Sequence, residues 1–223
     1  MARTFPVSHT TTESVLATNK VLKNTYMLLS ATLLFSAACA YGAMQFNMPY
    51  LGPWITIAGY FGLLFLTSAL RNSAWGLLSV FALTGFMGLT LGPIVNMITQ
   101  GFSNGSEIVM LAMGGTGIAF LGLSGLALTT KRDFTGIGKF LFIGILVAFV
   151  AGIANIFMGI PALSLAVSSM FVLLMCGLIL YETQQIVRGG ETNYIMATVT
   201  LFVAIYNLFT SLLHLLTAFM GEE

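Results

Sequence analysis

The sequence predicts an all-α membrane protein with seven transmembrane helices, its N-terminus in the cytoplasm and its C-terminus on the far side. Three observations predict this. Of 223 residues, 57% are hydrophobic and 7% charged, with a mean hydropathy of +0.96. Soluble domains carry roughly a quarter charged residues, and a chain of this size in water could not hide so much apolar surface. Seven apolar runs have the length of a spanning helix, about 20 residues. All eight Lys and Arg residues fall on one side of the alternating loops, which by the positive-inside rule is the cytoplasm.

The spans follow in order. Polar, Ser/Thr-rich residues 1–23, with Arg3, Lys20 and Lys23, form a cytoplasmic tail before the first run at 24–46, which stops at Asn47-Met48-Pro49. The second run, 53–70, ends at Arg71, and the third is 74–99. After Ser103-Asn104-Gly105 comes the fourth, 107–130, closed by Lys131 and Arg132; the fifth, 139–158, opens on Lys139. The sixth, 162–187, ends at Arg188, and the seventh, 193–219, follows Gly189-Gly190-Glu191 with Thr192 or Asn193 as its cap. Residues 24–219 thus form the membrane domain and 220–223 a short acidic tail with Glu222 and Glu223. No loop is long enough for a soluble domain.

Ala38-Cys39-Ala40 has the look of a signal-peptide cleavage site, but the polar lead is long and the apolar run continues to spanning length, so an uncleaved first helix is expected. Cys39 and Cys176 lie inside apolar runs and read as small buried hydrophobes. No CxxC or HExxH spacing is present, so no metal or cofactor is expected. A net charge of +1 gives no electrostatic reason for a nucleic-acid partner. Oligomeric state is not legible.

In lipid, helices gain nothing by burying apolar surface against one another; close backbone contact and interhelical hydrogen bonds matter more. In the seventh helix Asn193, Ala197, Thr200, Ala204, Asn207, Ser211, His214 and Ala218 recur at steps of four and three, which puts them on one stripe. That stripe is expected to face protein, because lipid-exposed Asn and His are costly. Gly144, Ala148, Ala151, Asn155 and Gly159 repeat the pattern in the fifth helix. Gly88 and Gly92 make a GxxxG in the third, followed by Pro93 and Asn96, where a kink is expected.

Glu182 is the residue with most chemical potential: a carboxylate about a turn and a half inside the cytoplasmic end of the sixth helix, with Arg71 and Arg188 as cations near the same face. An ionisable group within a span is a functional candidate by default. His214, on the polar stripe towards the outer end, reads first as hydrogen-bonded packing. No lysine sits mid-span, no nucleophile–base pair or P-loop is visible, and Asp133 is the only aspartate, so an enzyme is not expected.

Several stretches resemble the Bax inhibitor-1 family, in particular its bacterial YccA-like branch: Tyr181-Glu182-Thr183-Gln184-Gln185-Ile186, Gly189-Gly190-Glu191-Thr192-Asn193-Tyr194-Ile195, Tyr206-Asn207-Leu208-Phe209 and Gly92-Pro93-Ile94-Val95-Asn96. The likeness spans essentially the whole chain. It implies a bacterial inner-membrane bundle whose last helix is surrounded by the others, with a periplasmic C-terminus. It also implies a partner, the membrane-bound ATP-dependent protease FtsH, which members of the branch modulate. Other relatives are pH-sensitive calcium leaks built on carboxylates of helices six and seven and a nearby arginine. Carried over, these positions are Glu182, Ala204 and Arg71, so the carboxylate pair is broken here. A single carboxylate cannot share a proton with a like neighbour and offers calcium few oxygens. The two functional expectations are therefore an FtsH-binding regulator whose cytoplasmic tail is the protease's handle, and, as the alternative, a calcium or proton leak using Glu182, Arg71, Asn207 and His214. A transporter working through the Pro93 kink is weaker, since no inverted repeat is visible.

Overall fold

A computed structural model describes residues 9–222, with side chains from Thr18 onward. Arg3, Glu223 and the start of the tail lie outside the described residues. Seven α-helices and one short turn make up the fold: α1 (His9–Gln45), α2 (Gly52–Leu70), α3 (Trp75–Gly101), α4 (Gly105–Thr129), a 3-10 turn (Thr135–Ile137), α5 (Gly138–Met158), α6 (Pro161–Val187) and α7 (Tyr194–Met220). There is no strand among the described residues. All seven helices are long and apolar enough to cross a membrane, the first over Thr18–Gln45. Helical backbone thus starts at His9 rather than Asn24. Charged Lys20 and Lys23 end an apolar run without ending a helix, since lysine is a good helix former.

Local chemistry fixes the boundaries. Pro53 and Pro161 sit in the first turns of α2 and α6, where a missing N–H costs nothing. Gly159 ends α5 in a left-handed conformation (φ 62°), and the Asn155 side chain accepts from the Ile160 amide just beyond. Asn193, rather than Thr192, caps α7, accepting from the Ile195 and Met196 amides at 3.0 and 3.1 Å. α3 continues through Pro93 as one helix.

Packing follows the rules for helices in lipid. Gly88 and Gly92 face α1 so closely that a methyl group at either position would collide with the main-chain carbonyl of Ser36 or Ala40. The α1 face that meets them is itself small or polar: Thr32, Ser36, Ala40 and Ala43 are buried. Large apolar side chains point outward instead, Phe46, Ile118, Phe157 and Leu173 each being at least three-quarters exposed. α7 packs against α1, α3, α4 and α6, whereas α2 has its main neighbour in α3 and α5 in α6. Phe202, Leu201 and Leu208 of α7 meet Val80 and Leu83 of α3 and Ile179 of α6 in the main core.

The stripe on α7 is inward in part. Ala197, Ala204 and Ser211 are buried, Thr200 and Asn207 are half-buried, and His214 and Ala218 are exposed. The most buried line runs slightly to one side, through Ala197, Leu201, Ala204, Leu208 and Ser211.

Candidate functional site

The loops that carry Arg71, Lys131, Arg132 and Arg188 all lie at one end of the bundle, and α6 delivers Glu182 to that basic end. Glu182 is only 7% exposed, and its Oε1 has no hydrogen-bond partner. No salt bridge joins Glu182 to an arginine among the described residues. The guanidinium of Arg188 bonds Asp133 (2.9 Å) and the Arg132 carbonyl (2.9 Å). Arg71 is exposed in the α2–α3 turn and contributes its main-chain oxygen, which accepts from Asn193 Nδ2 at 3.1 Å. Arg188 is thus spent on the α4–α5 loop, and no ion pair joins Arg71 to Glu182 among the described residues.

Glu182 has unusual company. The buried side-chain polar atoms without a partner among the described residues are Glu182 Oε1, Thr183 Oγ1, Thr25 Oγ1, Tyr26 OH and Ser124 Oγ. They come from α6, α1 and α4, and α6 contacts each of the other two. Each stands within about two turns of a basic residue at this end: Lys23, Lys131 or Arg188. The Tyr26 ring lies 6.0 Å from that of Phe120, one turn before Ser124. Most buried polar groups in proteins are satisfied, so an orphan marks a feature that requires explanation. The sequence showed Glu182 but not these orphans: Thr25 follows Lys23-Asn24 and Thr183 stands between Glu182 and Gln184, so neighbouring polar residues masked them.

Just beyond Glu182 the same helix anchors the α4–α5 loop. Buried Gln184 accepts from the Phe134 amide and donates to the Arg132 carbonyl, both at 2.8 Å. Asp133, in the loop, accepts from the Thr135 hydroxyl (2.6 Å) and amide (2.8 Å). Those bonds, with Arg188 adding its charge, hold the Asp133 carboxyl below its ordinary range. Gln184 was missed in the sequence because a glutamine at a helix end reads as a solvated residue.

His214 and Asn207 lie far from Glu182. His214 Nδ1 is 2.8 Å from Ser168 Oγ, and Nε2 is 3.5 Å from Ser164 Oγ, so one imidazole bridges two serines a turn apart on α6. Asn207 donates to the Val203 carbonyl of its own helix at 2.8 Å. The four residues singled out by sequence do not converge on one site. Ala204, the position at which the resemblance implied a second carboxylate, is fully buried.

The opposite end is closed differently. Ser103 N and Oγ donate to the Glu222 carbonyl (3.0 and 3.3 Å), and Asn104 Nδ2 donates to the Met220 carbonyl (2.6 Å) while its Oδ1 accepts from the Glu222 amide (3.3 Å). The end of the chain is thus tied to the α3–α4 turn.

Comparison with known proteins fits this architecture. A Pseudomonas aeruginosa protein is 48% identical over 203 residues, 91% of each chain. The Escherichia coli K12 protein called modulator of FtsH protease YccA is 46% identical over 216 residues, 97% of each chain, and the same likeness extends to an E. coli O6:H1 protein called inner membrane protein YccA. With seven spanning helices, this chain is a multi-pass protein of the inner membrane. Residues 18–221 match the family described as inhibitor of apoptosis-promoting Bax1. The chain belongs to the Bax inhibitor-1 family.

Proposed function

We propose that this protein is an inner-membrane regulator that binds and modulates the membrane-bound protease FtsH, and is not an enzyme. The observation that carries the reading is 46% identity over 97% of both chains to the E. coli protein named for that activity. The topology in this reading is N-terminus in, C-terminus periplasmic, with α7 central; the one-sided basic loops and the contacts of α7 with α1, α3, α4 and α6 support it. A processive protease must grip a chain end. The C-terminal end is tied to the α3–α4 turn on the acidic side, which leaves the N-terminal segment ahead of Thr18 as the handle on the basic, cytoplasmic side. FtsH is expected to co-purify with the intact protein, and deleting residues 2–17 to lengthen its half-life only in cells that contain FtsH. The reading fails if FtsH neither co-purifies with it nor changes in activity when it is overproduced.

One observation favours a second reading, the leak: Glu182 is buried with an unpartnered oxygen. Ala204 and the distant role of Arg71 weigh against it. Proteoliposome flux of calcium or protons that falls in Glu182→Gln supports the leak, and flux equal to empty liposomes between pH 5 and 8 removes it.

A further inference from the structure

A cavity of about 380 Å³ opens in the middle of the bundle between α2, α3, α5, α6 and α7. This is within the range of small-ligand pockets. Its mouth lies between α2 and α5, which have their main neighbours on opposite sides in α3 and α6. Aromatic side chains bridge that gap: Phe61 to Phe149 with ring centroids 5.5 Å apart, and Trp54 to Phe157 at 5.6 Å. Phe142 and Leu146 line the cavity while largely exposed on the outer surface. The cavity therefore opens sideways, onto hydrocarbon. A helix, 10–12 Å across, would have to part the aromatic contacts, whereas a single alkyl chain enters by side-chain rotation.

The deep wall is polar. Asn207, which forms part of it, is thirteen residues from each end of α7, so it stands at the middle of the span, about 20 Å from either end at 1.5 Å per residue. One N–H of its side-chain amide goes to Val203; its second N–H and its Oδ1 have no partner among the described residues. Thr90 donates to the Met87 carbonyl at 2.8 Å, so in its 3.4 Å contact with Tyr206 the tyrosine is the donor. Thr56 donates to Gly52. Of the lining groups, the Tyr60 hydroxyl and the second Asn207 N–H keep a proton to give, and Asn207 Oδ1 offers a bare acceptor, so the wall suits a group that both donates and accepts. A polar group in hydrocarbon is costly when unpaired, for host and guest alike.

We infer that this cavity binds a membrane-dissolved long-chain alcohol, a single hydrocarbon chain whose hydroxyl donates to Asn207 Oδ1. A guest with only a carbonyl or ether oxygen can accept from Tyr60 or Asn207 but leaves Asn207 Oδ1 unpaired, and is disfavoured. The inference is independent of the FtsH reading.

The test is photolabelling of the purified full chain in lipid nanodiscs with a diazirine-bearing hexadecanol, mapped by mass spectrometry. Label is expected on α5, α6 or α7 residues such as Phe149 and Met175, with hexadecanol competing at roughly tenfold lower concentration than its methyl ether, the size of one hydrogen bond. Asn207→Leu should erase that preference, and Val203→Trp should block labelling by filling the space. The second cavity, between α1, α3, α4 and α7 and lined by Met113 and Phe209, is the internal control, where alcohol and ether should compete equally. Equal competition at Met175, or labelling indifferent to Val203→Trp in protein that remains monodisperse, overturns the inference.

Discussion

The two ends of this bundle solve the same problem in opposite ways. At the acidic end, polar side chains are used up: Ser103 and Asn104 hold the chain end, Asn96 accepts from Gln100 at 2.8 Å, Asn155 caps α5, and His214 bridges two serines. At the basic end an outer ring is equally satisfied, through Asn193, Gln184 and Arg188. The helix turns next to the basic loops, however, carry Glu182 and the hydroxyls of Thr25, Tyr26, Ser124 and Thr183 buried with no partner. The lesson is that the basic end carries unsatisfied polarity in its interior. A fold selected for stability alone would have replaced those groups with apolar ones. Conflict between local chemistry and packing of this kind is characteristic of functional regions.

Mutations can break or sharpen this contrast. The largest effect is expected at Asn193, which caps α7 and also donates to the Arg71 carbonyl and Asn72 Oδ1. Asn193→Ala should cost about 2–3 kcal/mol, a cap plus a hydrogen bond or two, read as a lower unfolding midpoint in detergent. Next is the opposite end: Asn104→Ala removes two bonds to the chain end and should cost about 1–2 kcal/mol. It should also expose the last residues to added carboxypeptidase. Thr183→Val and Ser124→Ala should do the reverse, raising stability by about 1 kcal/mol each, because they remove an orphan and leave no new one. A loss in these variants equal to that of Asn104→Ala would erase the difference between the ends.

The smallest effect is a pH effect in the α4–α5 loop. Asp133 is held below its ordinary carboxyl range of about 3.8. Its contribution is therefore complete above that value and disappears as pH falls through the lower, folded value. Amide exchange at Thr135, which donates to Asp133, should accelerate only in that acid window. Asp133→Asn should remove the pH dependence.

Much of the architecture was legible in the sequence. The seven spans depend on run length, a one-dimensional signal. The GxxxG of α3 likewise pointed to close helix contact, and Gly88 and Gly92 meet α1 there. Legibility failed where rotation about a helix axis decides the outcome. The α7 stripe was displaced, so Asn207 faces a cavity and His214 the outer surface. Arg71 and Glu182 share an end of the bundle, yet nothing in their spacing reveals that Arg71 belongs to a turn while Glu182 points inward. The orphan hydroxyls were invisible because Ser and Thr in lipid-crossing helices ordinarily bond to their own backbone, as Thr67 and Thr116 do here.

The most direct test concerns Glu182 itself. If its carboxyl is buried with no cation beside it, Glu182→Gln removes no ion pair, and the unfolding midpoint of the purified protein should stay level or rise. A fall on the order of 3–5 kcal/mol, the signature of breaking a buried salt bridge, would mean that an arginine reaches this carboxylate and that the basic end is not as described.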